Sequence, residues 1–410
     1  MLIEFTVGNY LSFKDKKTLS LEATAIKDNP ENIIVNGKYK LLRSAVIYGA
    51  NSSGKSNLIK AFERMREIVV NSIKQSSTDE LGITPFLLSN ETELQPSYFE
   101  VLFLINGIRY RYGFEADNRT IHSEWLFERE GNKEINLFIR EKDEIEISGD
   151  FEEGRSLEGK TRDNALFLSV VDQFNGVKSK QIIKWFSNLI VFSGIQHEKQ
   201  RFLTTLLLNQ IDVFGSMIKD FLTPLSLGFN DIEIIKNDKA GSEQVITYHN
   251  KYDSYGNVIG KCEFKLLEQE SSGTNKLYDM AGYLAIGLKF GGLTIIDELD
   301  AKLHPLLTMA IIKLFNSPKH NKKNAQLIFA THDTNLLNYG CFRRDQIYFT
   351  EKNHLEATDL YSLVEYREAN GKKVRNDRSY EKDYIAGRYG AIPFIGDFIN
   401  LFSDGKSNKD

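Results

Sequence analysis

The chain has 410 residues, 41% of them apolar and 26% charged, with 52 Lys and Arg against 56 Asp and Glu. At roughly 150 residues per domain this is two to three domains' worth of chain, with a globular balance that excludes long disorder and collagen-like character. The net charge of -4 excludes a surface coated in basic charge for bulk nucleic-acid binding, and leaves only a local basic patch open.

Cys262 and Cys341, the two cysteines, cannot form a disulfide framework and indicate a reduced, intracellular setting. The longest apolar stretch, residues 283–296, is interrupted by Lys289 and by glycines, whereas a membrane span needs about 20 apolar residues. The start, MLIEFTVGNYLSF, carries Glu4 and no basic segment, so it does not read as a signal peptide. A cytoplasmic protein with no membrane partner is expected.

In chain order, the alternation in LIEFTV and KTLSLEA predicts a strand pair turning near Lys14–Lys17. After an Asn-rich loop, SAVIYG reads as a short strand that ends in glycine. Leu58, Ile59, Phe62, Met65, Ile68 and Val69 then recur at helical spacing. Residues 97–128 read as a meander with turns at Asn106-Gly107 and near Asp117-Asn118. Residues 129–160 are charged and loosely patterned, 178–224 helical, and 229–270 stranded with a turn near Gly256. A helix over 275–290, a buried strand in GGLTIIDE, a helix over 303–316 and a buried strand in AQLIFATHD follow. The last sixty residues are polar and mixed. No repeat or sustained heptad is present.

Four motifs carry chemistry. GANSSGKS, Gly49–Ser56, fits G-x-x-x-x-G-K-[ST] between strand and helix. Its backbone N–H groups (Gly49, Asn51, Ser52, Ser53, Gly54, with Asn57 just beyond) can wrap phosphates. Lys55 would reach the β and γ phosphates, and Ser56 would ligate Mg²⁺. GGLTIIDELD places Asp297 and Glu298 at the end of a buried strand. There Asp297 suits Mg²⁺ and Glu298 suits polarising a water. Ser271, Ser272 and Gly273 precede a helix. Alone, they read as a Ser-rich N-cap; ahead of the acidic strand, they read as a second phosphate-contacting helix start. Thr331-His332-Asp333 ends the next strand on the same carboxyl edge, which makes His332 a γ-phosphate sensor.

In this order the motifs resemble the ATP-binding-cassette type of head, and more narrowly SMC-like and RecF-like heads. FTVGNYLSFKD, with its N-[FY]-x-S-F string at Asn9–Phe13, is similar to the N-terminal hairpin of those heads. PFLLS, YRYGFE, ESSGT, DELDAKLHP and GRYGAIP resemble prokaryotic AAA-type ATPases linked to restriction and abortive infection, of the RloA and AbiL kind. The resemblance implies an α/β fold: a P-loop ATPase head with an N-terminal antiparallel β-subdomain and a helical or mixed insertion. The organisation expected is 1–128 as the first half of the head, 129–250 as the insertion, 251–350 as the second half and 351–410 as an accessory segment. The insertion is expected to carry specificity and partner contact, so that deleting 202–221 would spare nucleotide binding.

The resemblance also implies that Lys55, Glu298 and His332 serve catalysis and that Ser56 and Asp297 hold Mg²⁺. Ser271, Ser272 and Gly273 of one protomer would cap the ATP held by another, with Asp300 communicating between them. The implied function is an ATPase sensor or switch in anti-phage defence, acting as a homodimer or higher homo-oligomer joined through ATP. It would answer a phage-derived trigger and control a separate effector encoded nearby, such as a nuclease, since no acidic nuclease cluster is seen after His332. The alternative is a RecF-like ATPase binding DNA structures in repair. Candidate basic clusters for DNA are Lys319-Lys322-Lys323, Arg343-Arg344 and Lys372-Lys373-Arg375-Arg378. The signature departs from the wider cassette pattern, with Glu270 for Leu and Ser272 for Gly. The glutamine loop is not placed, Gln95 being a poor match.

Overall fold

The computed structural model describes residues 1–392 other than Asn132, Ile211, Ser226, 238–241 and 369–370. Strand β1 (Leu2–Gly8) buries Leu2, Phe5 and Val7 and pairs antiparallel with β2 (Lys17–Ser20). A hairpin of β3 (Ile33–Asn36) and β4 (Tyr39–Leu42) follows. Strand β5 (Ser44–Gly49), buried along its whole length, then delivers the chain to α1 (Lys55–Asn71). The meander is β6 (Ser97–Ile105), β7 (Ile108–Ala116) and β8 (Ile121–Glu130), and it continues into β9 (Lys133–Glu141) and β10 (Glu144–Ile147).

Two short helices, α2 (Phe167–Gln173) and α3 (Val177–Ser187), lead to β11 (Ile190–Ser193). Helices α4 (Arg201–Gln210) and α5 (Asp212–Leu222) precede β12 (Asp231–Asn237), β13 (Ser242–Tyr252) and β14 (Val258–Lys265). After the one-turn α6 (Leu266–Gln269) comes α7 (Ser272–Phe290), then β15 (Leu293–Asp297), α8 (Pro305–Asn316) and β16 (Gln326–Ala330). Strands β17 (Ile347–Lys352) and β18 (Thr358–Ser362) and helix α9 (Tyr380–Ile385) close the described chain.

These strands form two principal sheets. The first is antiparallel with seven strands in the order β10-β9-β8-β7-β6-β1-β2; the second has six, β11-β15-β16-β5-β17-β18. In the second sheet all pairings are parallel except β17–β18. Period-two alternation explains how it divides the core. Ala45, Ile47, Ile295 and Ile328 face the antiparallel sheet and α1, where Phe62 stacks on Phe5. Val46, Tyr48, Ile296, Leu327 and Phe329 face α5, α7 and α8. Burying each such large side chain contributes about 1.5–3 kcal/mol.

The fold is α/β with an N-terminal antiparallel sheet, as expected, but the expected boundaries cut through elements. The 128/129 boundary falls inside β8, and β9 and β10 complete the same sheet because their hydrogen-bonding edges continue it. Glu124 of β8 ties α2 to that sheet: its buried carboxylate accepts the N–H groups of Phe167 at 2.6 Å and Leu168 at 3.0 Å. β11 lies in the parallel sheet beside β15, so residues 129–193 belong to the core. The 250/251 boundary falls inside β13 and the 350/351 boundary inside β17. Phe214, Ile218 and Leu222 of α5 share a buried cluster with Leu277, Ala281 and Leu284 of α7. Removing 202–221 would therefore strip one wall from α7. Residues 393–410 of the expected accessory segment lie outside the described residues.

Candidate nucleotide site

β5 runs through the middle of the parallel sheet and releases the chain at Gly49, on the carboxyl edge where such sheets bind ligands. The loop then turns through Ser52 (φ 65°) and Gly54 (φ 114°). A Cβ on Gly54 would run into the Thr358 side chain, and one on Gly49 into the Ser53 and Thr350 hydroxyls, so both positions require glycine. Two threonines of the last strands brace the loop from outside. Thr350 Oγ1 lies 2.6 Å from Ser53 Oγ, and Thr358 Oγ1 donates to Ser53 O at 2.9 Å. Ser12 Oγ contacts Thr358 Oγ1 at 2.7 Å and accepts from Asn57 Nδ2 at 2.8 Å, which gives the N-[FY]-x-S-F string a local purpose. Its Asn9 accepts the Phe86 N–H and donates to the carbonyls of Thr92 and Gln95, which holds PFLLS against the first strand.

Lys55 opens α1 and is buried, its Nζ donating to Gly49 O at 2.8 Å and Ala50 O at 3.0 Å. Burial lowers its pKa, while Asp297, Glu298 and Asp300 favour its charge. Asp297 ends β15 beside it. Burial pushes this carboxyl up, opposed by a hydrogen bond from Ser56 and by Lys55. Among the described residues, Asp297 Oδ1 is buried with no hydrogen-bond partner. A carboxylate oxygen in that state, beside a hydroxyl and next to a glycine-shaped phosphate cradle, fits a Mg²⁺ ion. Among the described residues no cluster of three His, Cys, Asp or Glu could hold a metal. Ser56 and Asp297 would thus leave most positions to water and phosphate oxygens.

A cleft of about 470 Å³ is lined by Asn51–Asn57, Glu298, His332 and Lys352. It gathers the loop, the adjacent Glu and the His from three elements, as their sequence order predicts. Lys352, at the end of β17, was not expected there; the signal available was only its place at the end of the apolar run Ile347–Phe349. Partial enclosure and the Lys55 ammonium push His332 below the usual histidine pKa, so it is neutral at pH 7. Asp300 is not on the cleft wall. Its carboxylate accepts the backbone N–H of His332 at 3.3–3.4 Å and joins the acidic loop to the histidine strand.

Glu298 sits at φ 51°, sparsely populated for a residue with a side chain. Two neighbours hold it there. Gly194, after β11, donates to Asp297 O at 2.7 Å, and a Cβ on it would run into Glu298 O. Lys276 of α7 is fully buried and donates to Glu298 O (2.9 Å), Leu299 O (3.0 Å) and Ala301 O (2.7 Å). A lysine within a helix gives no sequence signal of this; the three carbonyls reach it only when the chain closes. Burial lowers its pKa to about 8. An ammonium has three donors for three carbonyls and a neutral amine has two. Any nucleotide turnover at this cleft is therefore expected to fall as pH rises through about 8, and Lys276→Arg, charged throughout, to move that limb upward. Lys276→Met is expected to cut turnover about tenfold or more, with one buried charge-assisted anchor lost. Steady-state rates across pH 7–10 check both; a limb unchanged in Lys276→Arg would remove Lys276 from it.

Ser271 is the N-cap of α7, its Oγ accepting Thr274 N at 3.1 Å. Ser271 and Ser272 are exposed at the start of this 19-residue helix, and the structure does not bring them or Gly273 into the cleft of their own chain. Gly273 packs on the acidic loop, where a Cβ would come within 2.8 Å of Lys302 O. The unusual Glu270 has a local cause: its Oε1 lies 2.7 Å from His249 Nε2 and accepts from Thr247 at 2.5 Å. A leucine there would take this carboxylate away from both β13 side chains. Beneath the signature helix, Asp279 is buried between Arg201 Nε (2.6 Å) and His197 Nδ1 (2.7 Å), which fastens α4 to α7.

The glycine loop, the Ser–Asp pair and the acidic strand on one parallel sheet define a P-loop nucleotide-binding domain. A protein-family model described as "AAA domain, putative AbiEii toxin, Type IV TA system" matches residues 44–338, and the chain belongs to that AAA-domain family. No curated protein matches it. Among solved structures, the SMC head domain from Thermotoga maritima is similar at 14% identity and a TM-score of 0.43, the match covering 88% of this chain and 98% of that one. Among the described residues no helix is long and apolar enough to cross a membrane.

Proposed function

We propose that the chain binds ATP with Mg²⁺ in this cleft, hydrolyses it, and does so between two heads. The observation that carries this is the exposed start of α7. Its serines and the positive end of its dipole suit a phosphate, yet they stand outside their own chain's cleft. A second protomer's ATP is the partner that satisfies both. Lys55 and the loop amides orient the phosphates, and Ser56 and Asp297 would hold Mg²⁺, which would supply neutralisation of phosphate charge. Glu298 accepts the proton of the attacking water. Neutral His332 can donate a hydrogen bond to the γ-phosphate from one ring nitrogen. Asp300 and Lys276 fix the backbone on which His332 and Glu298 stand.

In this reading ATP joins the heads and hydrolysis releases them, so the protein acts as a switch. The family description, which names a toxin and a type IV toxin–antitoxin system, supports a place in anti-phage defence. There it would answer a phage product and restrain or release a separate effector such as a nuclease. The DNA-repair alternative has less support. Arg343 is fully buried and paired with Asp345, Arg344 with Asp28, Arg375 with Asp377, and Arg378 with Glu368 and Asp383. The guanidiniums of Arg343, Arg344 and Arg378 are thus committed within the chain, and only Arg375, in a surface pair, stays open to a phosphate backbone.

A mixing experiment tests the shared site. Lys55→Ala and Ser271→Arg should each be inactive alone. Mixed one to one they should recover about a quarter of wild-type turnover, since half of random dimers would hold one intact composite site. No recovery, with each variant still folded and Ser271→Arg still binding ATP, would place every catalytic group in one chain.

A further inference from the structure

Helices α5, α7 and α8 leave a groove of about 750 Å³ between them. Its walls are apolar, with Met217, Phe221 and Leu288 partly exposed above buried Leu284 and Ile311, and Leu314 at the edge. Lys289, Lys319, Lys322 and Lys323 line it as well, all exposed, and none forms an ion pair with a described residue. What sets them apart is their place: all four line one apolar groove. Asp220 is the one carboxylate in the same lining, so in a chain of net charge -4 the groove carries a local positive surplus of four lysines against one aspartate.

We propose that this groove docks an acidic amphipathic helix of a partner protein. The apolar walls take anchors at i, i+3, i+4 and i+7, and the lysines take the carboxylates along the helix flank. Charge complementarity selects this occupant. A single carboxylate of a small amphiphile engages one or two lysines, whereas acidic residues recurring each turn engage lysines spread from the end of α7 to the segment after α8. Nucleic acid would meet the lysines but leave the aliphatic walls uncovered. The basic cluster at 319–323, a DNA candidate from sequence alone, is thus the rim of a protein-docking groove. The groove lies along α7, whose start carries Ser271 and Lys276, so an occupant packs on the helix that reaches the nucleotide site. This inference does not depend on ATP hydrolysis.

The test uses the whole chain and four probes: a synthetic leucine-anchored helix with glutamates on its flank, the same helix with lysines, dodecanoate, and a short DNA duplex. The acidic helix should bind in the micromolar range, at least about tenfold more tightly than the basic one. K319E/K322E/K323E should reverse that preference, and Leu314→Glu should weaken the acidic helix about tenfold. These residues are at the groove's edge, so unchanged ATP binding verifies the fold of each variant. Equal binding of the two helices, binding of neither, or capture of dodecanoate or DNA alone with the same lysine dependence would each overturn the proposal.

Discussion

Glu298→Gln is expected to slow ATP turnover by about 10²–10⁴-fold, the range for losing a positioned general base, and to leave ATP bound. Glutamine matches the size of glutamate and still accepts a hydrogen bond, but it cannot take a proton from water. The change alters no backbone contact. Gly194 and Lys276 hold the main chain at Asp297 and Glu298 through its carbonyls, so the left-handed turn persists. Lys55, Ser56 and Asp297 keep their places as well. Single-turnover hydrolysis together with retention of labelled ATP checks this. Retained ATP with lost hydrolysis is the expected pair of results. Turnover near the wild-type rate would remove Glu298 from the chemistry, and loss of binding as well would assign it to holding the site together.

Lys55→Ala is expected to weaken ATP binding by roughly 30-fold or more, since truncating one partner of a buried charge pair costs about 2–5 kcal/mol. The cause is local. Lys55 is buried and its charge is disfavoured by that burial. Within its own chain it spends two donors on Gly49 O and Ala50 O, so a phosphate would gain a nearly desolvated ammonium already aimed at the loop. Alanine keeps the helix propensity of α1. The melting temperature without nucleotide should therefore change little while the stabilisation given by Mg-ATP disappears. Titration of a fluorescent ATP analogue and melting curves with and without ATP measure the two effects. Undiminished affinity would mean that the phosphates lie elsewhere.

Local patterns made the candidate nucleotide site legible. Gly49, Gly54 and Lys55 fall between strand and helix because β5 is uniformly apolar and α1 repeats at helical spacing, and both signals lie within a few turns of chain. The same holds for Asp297 and Glu298 at the end of β15. Elements whose identity depends on distant partners were hidden. β11 is four residues inside the stretch 178–224 expected to be helical, and only its pairing with β15 makes it a strand. β17 stands in a stretch whose composition is polar overall, yet Ile347–Thr350 are buried beside β5. Residues 129–193 look like an insertion because their charges mask the alternation of β9, which closure of the sheet over α2 restores. The residues that support the site were hidden for the same reason. Lys276, Gly194, His249 and Thr358 act on partners 21 to 346 positions away, and no spacing rule joins them.

The central claim is that ATP unites two heads. The direct test is the solution mass of Glu298→Gln, purified with the product of its neighbouring gene, with and without Mg-ATP. ATP is expected to raise the mass to that of a dimer or larger assembly, or to lock the neighbour in, and Ser271→Arg to abolish the rise. A monomer in both conditions, with ATP demonstrably bound, would contradict the shared site and leave a single-head nucleotide-binding protein.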